Sequence, residues 1–155
     1  MLARDLMSHP PITCHVNDAM NLAAHEMWNH DCGAIQVVND DGKLVGVITD
    51  RDICMAAYTQ SRPLDELLVN SAMATHVVSV QPHQTLAEVE QLMAAHQIRR
   101  IPVVDGDHKP VGMITLNDLA RECTRPSTQM KLGSLGVTTT LAAICQPRTP
   151  VEQAA

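Results

Sequence analysis

The sequence is nearly without aromatic residues: Trp28 and Tyr58 are the only two, and phenylalanine is absent. Proteins that bind single-stranded nucleic acids stack the bases on aromatic side chains, so this composition disfavours that class. The net charge of −6 would also repel a phosphate backbone. We therefore predict no nucleic-acid partner, and a core built from Val, Ile, Leu, Met and Ala.

Long apolar runs are also missing. No stretch reaches the roughly 18 apolar residues from which a membrane-spanning helix is recognised, and residues 1–13 lack the apolar run of a signal peptide. The five cysteines are scattered and odd in number, so they do not suggest a disulfide framework. We therefore predict no membrane association and a cytoplasmic location.

The motifs of common catalytic and metal sites are absent from the sequence. It has no nucleophile elbow, no P-loop and no G-x-G-x-x-G after a predicted strand. It also has no C-x-x-C pair and no two histidines four residues apart, spacings that are typical of zinc sites. We therefore predict a protein that is not an enzyme, holds no structural metal and requires no cofactor.

What the sequence does contain is an internal repeat. A shift of 66 positions places Gly42–Ile53 on His108–Leu119 without a gap, and 13 of the 46 pairs between Met7–Asp52 and Met73–Asp118 are identical. Chance would give roughly three identities at ordinary composition. We divide the chain into repeat 1 (residues 1–60), a linker (61–71), repeat 2 (72–124), and a C-terminal part (125–155) with a linker, a possible helix and a disordered tail.

Each repeat has the hydrophobic pattern of β-α-β-β-α, which predicts an α+β fold. Turn residues separate the second and third strands, so these two strands should form a hairpin. Thr85 and Glu88 have the spacing of a capping box at the start of a helix. The predicted strands are Ile12–Cys14, Ala34–Val38 and Leu44–Thr49, then Val77–Val80, Ile101–Val104 and Val111–Thr115. The predicted closing helices begin at Asp50 and Leu116, and a helix over Ser134–Cys145 is possible.

Each hairpin ends in the pattern G-h-h-T-x-x-D, at Gly46–Asp52 and Gly112–Asp118. A helix N-terminus after a strand offers free amide donors to an anion. The same Thr and Asp could instead form a plain capping box. The glycine permits close approach of the backbone, either by a ligand or by the other repeat. The sequence leaves both alternatives open.

The duplicated motif, together with its preceding strands and helices, resembles the cystathionine-β-synthase (CBS) domain, which occurs in tandem pairs. The resemblance covers Leu6–Tyr58 and Ala72–Cys123, and is to stand-alone pairs without an attached enzyme or channel. It implies two repeats related by pseudo-twofold symmetry, with a ligand cleft on either side. It also implies a disc-shaped homodimer and an adenosine-containing ligand, such as AMP, ADP, ATP, S-adenosylmethionine or sometimes a dinucleotide.

In the family, each cleft combines the motif of one repeat with strands of the other. Transferred to this sequence, the resemblance predicts a first cleft with Thr49, Arg51, Asp52, Val78, Ser79, Val80, Arg99, Arg100 and Pro102. It predicts a second cleft with Ile12, Thr13, Cys14, Gly33, Ala34, Gln36, Thr115, Asn117 and Asp118.

The two predicted clefts differ in charge. Arg99 and Arg100 belong to the first, whereas Gly33 and Ala34 hold the aligned positions of the second. Because guanidinium groups bind phosphate well, we predict a phosphorylated adenosine ligand in the first cleft and weak or no binding in the second. Alternatively, the two arginines are a solvated pair at a strand start, which could also bridge to Glu or Asp.

The favoured function is a regulatory module that senses such a ligand and signals to an unidentified downstream protein. One alternative is a structural homodimerisation module with vestigial clefts. Another is a redox-responsive module that acts through Cys14 and Cys32.

Overall fold

The structure is a computed structural model that describes residues 1–123 and 135–146, and it has the predicted α+β fold. The elements of the first repeat lie within residues 13–60, and those of the second repeat lie within residues 86–123. Two 3-10 turns, Leu64–Glu66 and Val69–Ser71, connect them. The bounds are α1 Ala3–Leu6, β1 Thr13–His15, α2 Met20–Asn29, β2 Ala34–Val38, β3 Leu44–Thr49, α3 Asp50–Gln60, α4 Leu86–His96, β4 Arg100–Val104, β5 Pro110–Thr115, α5 Leu116–Cys123 and α6 Leu135–Ile144.

The two sheets repeat the same pairing. In repeat 1, β1 is parallel to β2, and β2 is antiparallel to β3. In repeat 2, β4 and β5 form the equivalent antiparallel pair. The register is also conserved, because Gly46 lies opposite Val37 and Gly112 lies opposite Val103. The 66-residue shift therefore holds in the hydrogen bonding as well as in the sequence.

The predicted strand Val77–Val80 is reduced to a single parallel bridge between Val80 and Val103. In repeat 1 the N–H of Gln36 donates to the carbonyl of Ile12 at 3.2 Å. Pro102 holds the position of Gln36 in repeat 2 and has no N–H to donate. The carbonyl of Val78, which corresponds to that of Ile12, lacks this partner, so pairing begins only at Val80.

The segment before each repeat packs against the other repeat. Helix α1, which the sequence did not predict, places Ala3 in the core of repeat 2. The N–H of Ala3 donates to the backbone carbonyl of Gln84 at 2.8 Å. Leu67 and Val69 of the connecting segment lie in the core of repeat 1. The repeats therefore exchange their leading segments, and each hydrophobic core contains residues from both sides of the linker.

The conserved glycine of the motif permits this exchange. A Cβ atom at Gly46 would lie 2.6 Å from the sulfur of Met73, and one at Gly112 would lie 2.7 Å from the sulfur of Met7. Met7 and Met73 are themselves related by the 66-residue shift. Of the two explanations left open by the sequence, approach by the other repeat accounts for both glycines.

Helix α6 confirms the helix that was possible over Ser134–Cys145, and it packs on α4 and α5. Val137 and Ile144 contact the core of repeat 2. The predicted linker Thr124–Lys131 and tail Pro147–Ala155 lie outside the described residues. No helix in the described part of the chain has the length and apolar character to cross a membrane.

Candidate functional site

Both motifs form complete capping boxes at the start of α3 and α5. Thr49 Oγ1 accepts from the N–H of Asp52 at 3.2 Å, and Asp52 Oδ2 accepts from the N–H of Thr49 at 2.9 Å. The same oxygen accepts from the hydroxyl of Thr49 at 2.7 Å. Thr115 and Asp118 repeat this pattern at 3.3, 2.8 and 2.6 Å. Both Thr–Asp pairs therefore cap their helices. A ligand could use only the carboxylate oxygens that the capping boxes do not engage.

The two motif aspartates differ in their second carboxylate oxygen. Among the described residues, none donates a hydrogen bond to Oδ1 of Asp52. Oδ1 of Asp118 is held in an ion pair by Arg121, one helical turn further along α5. Met55 holds the position of Arg121 in repeat 1. Of the two motif aspartates, Asp52 alone therefore keeps a carboxylate oxygen that no group among the described residues occupies.

A cavity of about 540 Å³ lies between the motif of repeat 1 and the strands of repeat 2. Ala34, Val47 and Pro102 contribute apolar wall, and the start of α3 contributes Thr49 and Asp52. The structure brings seven residues of the predicted first cleft to this cavity: Thr49, Arg51, Asp52, Val78, Arg99, Arg100 and Pro102.

Two residues of the predicted first cleft lie elsewhere. Ser79 and Val80 line a separate cavity of about 460 Å³ near Glu88 and Asp105. Val80 is also 1% exposed, because it pairs with β4 and belongs to the core of repeat 2. Val78 is the last residue of its segment to face the first cleft.

Three arginines line this cavity together with the carboxylates of Asp50 and Asp52. Arg51 and Arg99 are exposed and Arg100 is half-buried. In the described part of the chain, no carboxylate forms an ion pair with any of the three. Bridges from Arg99 or Arg100 to Glu or Asp are therefore not observed, and the alternative of a solvated pair stays open. The three arginines outnumber the two aspartates of the cavity by one, so the cavity carries a small positive excess on a protein whose net charge is negative.

The predicted second cleft is assembled less completely. Ala34 lines the first cavity instead, and Gly33 lines a groove between α2 and α3. Cys14 is buried in the core of repeat 1, since it alternates with Thr13 and His15 along β1. The remaining residues of this prediction are Ile12, Thr13, Gln36, Thr115, Asn117 and Asp118.

Gln36 occupies the space between the sheets on this second side. It is 1% exposed, and its Nε2 donates to the carbonyl of Gly112 at 3.1 Å. Its Oε1 is buried with no hydrogen-bond partner among the described residues. An amide that spans from β2 to β5 fills volume that Pro102 leaves free on the first side. Gln36 therefore narrows the second cleft, and Arg121 neutralises the charge of Asp118.

Several residues of the first cavity were missed by sequence reasoning. Two of them belong to the motif of repeat 1 itself, and the other five come from the segment that crosses between repeats and from the turn that enters β4. The repeat pattern alone does not show that these segments reach the opposite motif. The missed residues are Val47, Asp50, Ala74, His76, Val77, Gln97 and Ile98.

The two cysteines of the redox alternative are poorly suited to react. Burial, with a smaller contribution from the charge of Asp18, raises the pKa of Cys14 to about 12. Burial also raises the pKa of Cys32, although Arg100 lowers it in part. The reactive form of cysteine is the thiolate, so both remain largely protonated thiols at neutral pH.

The description of the protein-family model that matches this chain is CBS domain, and it matches residues 3–58 and 69–125. The chain belongs to the CBS domain family. The family predicted from the duplicated motif is thus confirmed. The CBS domain-containing protein YhcV of Bacillus subtilis is 41% identical over 117 residues, which are 76% of this chain and 81% of that protein.

A similar solved structure is the CBS domain pair of protein MJ0100, in complex with 5′-methylthioadenosine and S-adenosyl-L-methionine. Its TM-score is 0.71 at 30% identity, and the match covers 78% of this CBS pair and 94% of that chain. That CBS domain pair therefore binds two adenosyl compounds. In the residues that the structure describes, no group of three or more His, Cys, Asp or Glu side chains could hold a metal ion.

Some relatives carry the names of enzymes. The L-aspartate semialdehyde sulfurtransferase of Methanocaldococcus jannaschii is 31% identical over 120 residues, which are 77% of this CBS pair. The match covers only 23% of that enzyme. The shared part is the CBS pair, so the similarity does not transfer the catalytic activity to this chain.

Proposed function

We propose that this CBS pair is a regulatory module that binds a phosphorylated adenosine compound, such as AMP, ADP or ATP, in the Asp52 cleft. The observation that carries the proposal is the free Oδ1 of Asp52, which shares a cavity with the unpaired Arg99 and Arg100. A carboxylate and two guanidinium groups in one cavity match the ribose and phosphate of a nucleotide.

Each end of the ligand has a matching partner. A carboxylate accepts hydrogen bonds from both hydroxyls of a ribose, and charge-assisted bonds of this kind are the stronger ones. Guanidinium groups can bind a phosphate through two parallel hydrogen bonds. The positive sulfonium of S-adenosylmethionine would be repelled by Arg51, Arg99 and Arg100. The charge of the cavity thus favours a phosphate over a sulfonium.

The adenine needs no aromatic platform here. Val47, Val78 and Pro102 offer aliphatic walls on which a purine can lie. The carbonyl of Val78, which has no N–H partner at Pro102, could accept a hydrogen bond from the amino group of adenine. The proline thus both widens the cleft and leaves an acceptor for the base.

We also propose that the protein forms a homodimer through repeat 1. A groove of about 490 Å³ runs between α2 and α3, and Met27, Cys32 and Ile53 are among its lining residues. Trp28 at its edge is 86% exposed, and Tyr58 on α3 is 78% exposed. Exposed aromatic residues beside an apolar groove are typical of protein interfaces. Sedimentation of wild type and Trp28→Ala tests this, and a wild-type monomer contradicts it.

The nucleotide proposal is tested by calorimetry with AMP, ADP, ATP, adenosine, 5′-methylthioadenosine and S-adenosylmethionine. We expect binding of the phosphorylated compounds, one per chain, and at least tenfold weaker binding of adenosine. A ligand at about 100 times its Kd should add about 2.7 kcal/mol to the free energy of unfolding. Preference for the two compounds without phosphate would contradict the role of the arginines. Binding of none would favour a structural dimerisation module.

A further inference from the structure

Helix α6 fills a groove whose counterpart in repeat 1 is uncovered. Met27, Cys32 and Ile53 line the α2–α3 groove, and the 66-residue shift relates them to Met93, Ile98 and Leu119. These three share a core cluster with Val137 and Ile144 of α6. The α4–α5 groove is thus a helix-binding groove, and the C-terminal helix of the chain occupies it.

The attachment of α6 depends on this groove. An isolated helix shorter than about 12–15 residues is marginal in water, and α6 has ten residues with three consecutive threonines at Thr138–Thr140, which have low helix propensity. A Cβ atom at Gly136 would lie 3.4 Å from both carboxylate oxygens of Glu90, and burial raises the pKa of Glu90. Covering a carboxylate opposes docking. Small changes in the groove can therefore shift α6 between docked and unfolded states.

Gln97 joins this helix to the Asp52 cleft. It lines the cleft together with Ile98 and Arg99. Its Nε2 donates to the carbonyl of Ala143 at 3.4 Å and to that of Gln146 at 3.2 Å, at the end of α6. Its own backbone is left-handed, with φ of 51°, where it caps α4. Gln97 therefore contacts both the Asp52 cleft and the C-terminal end of α6.

We propose that α6 is the output element of the Asp52 cleft: a ligand that orders the wall Gln97–Arg99 holds α6 in the α4–α5 groove, and loss of the ligand loosens the helix. The undocked state exposes an apolar groove that fits a helix of a partner protein. This inference rests on the proposed nucleotide function. Because coupling is reciprocal, undocking α6 must weaken ligand binding by the same factor.

The first test is amide hydrogen exchange of the full chain, with and without saturating AMP, read on residues 135–146. We expect AMP to slow exchange in α6 by roughly fivefold or more, the lower end of typical allosteric coupling. Exchange in α3 should also slow, since the start of α3 lines the cleft. AMP that binds by calorimetry but leaves α6 unchanged overturns the inference and not the proposed function. Absence of binding of AMP, ADP and ATP overturns both, and if only ADP or ATP binds, the exchange experiment uses that nucleotide.

The second test uses the reciprocal effect. Ile144→Ala should loosen α6 and weaken AMP binding severalfold, whereas Trp28→Ala, which alters the uncovered groove, should not. In a Gln97→Ala background, the Ile144→Ala change should no longer alter the Kd for AMP, because the connecting side chain is gone. Equal effects of Ile144→Ala in the two backgrounds would show that Gln97 is not the connection.

Discussion

The two clefts of this CBS pair have the same framework and different chemistry. Both begin with a Thr–Asp capping box, both follow a hairpin in the same register, and both motifs keep a glycine under a methionine of the other repeat. Asp52 keeps one free carboxylate oxygen, while Asp118 is paired with Arg121. Duplication has therefore preserved the residues that fold each half, and the residues of the two proposed clefts have diverged.

The helical faces of the two repeats also differ, in how far they are covered. The α2–α3 face exposes Trp28 and Tyr58, and the α4–α5 face is covered by α6. Burying both faces in one disc-shaped dimer, as the family resemblance implies, would require α6 to move. One repeat is thus suited to assembly and the other to an internal helix.

The largest expected effect separates the two motif aspartates. Asp52→Ala should weaken AMP binding by about 100-fold, since a hydrogen bond to a charged group contributes about 1.5–3 kcal/mol and two hydroxyls are involved. Asp118→Ala is the matched control, because it removes an equivalent capping box. Both should lose about 1 kcal/mol of stability, because the N–H of the N-cap Thr loses its carboxylate acceptor. Calorimetry and thermal unfolding measure the two effects, and equal loss of AMP binding would contradict the asymmetry.

The second comparison concerns the two glycines. Gly112→Ala and Gly46→Ala should each destabilise the fold by about 1–3 kcal/mol through overpacking. We expect Gly112→Ala to be worse, because its Cβ would also lie 2.8 Å from the carbonyl of Ser8, whereas that of Gly46→Ala lies 3.1 Å from the carbonyl of Ala74. Backbone atoms yield less readily than a methionine side chain. Denaturant unfolding gives the order, and a larger loss for Gly46→Ala would contradict it.

The third prediction exchanges the residues that distinguish the clefts. Met55→Arg should place a guanidinium near Asp52 and weaken AMP binding by about tenfold, equivalent to about 1.4 kcal/mol. Arg121→Met should free Oδ1 of Asp118 without affecting the first site. Gln36 still narrows the second cleft, so we expect only weak binding there, measured as added stoichiometry at high AMP. Unchanged affinity in Met55→Arg would show that the free oxygen of Asp52 is not used.

The framework was predictable from the sequence because it repeats. The order of elements, the hairpins and both capping boxes followed from patterns that one repeat confirmed in the other. The predicted strand Val77–Val80 is reduced to one bridge, because Pro102 has no N–H to donate to the carbonyl of Val78. Its loss could have been foreseen only if the register between Val78 and Pro102 had been known.

The clefts were harder to predict, because they depend on contacts between distant segments. The exchange of leading segments, which brings Ala74 and His76 to the Asp52 cavity, has no local signature. The pair of Asp118 and Arg121 is an exception, because their spacing of three residues on the predicted helix α5 could have indicated the contact. Ala34, which the family resemblance places in the second cleft, lines the first cavity.

The smallest expected effect concerns the covered face, where Glu90 holds the position of Ala24 in the uncovered one. Burial raises the pKa of Glu90 in the folded state, so its contribution to stability is most favourable below its ordinary pKa and declines as the pH rises through the raised value. Glu90→Gln should therefore be more stable than wild type near pH 7, by at most about 0.5 kcal/mol, and the difference should vanish near pH 4. Glu88→Gln is the control on the same helix, since hydrogen bonds from Thr85 lower the pKa of Glu88 and its pH dependence has the opposite sign. Unfolding curves at pH 7 and pH 4 measure the difference in stability. If Glu90→Gln were less stable than wild type at pH 7, burial under α6 would not destabilise the charged form of Glu90.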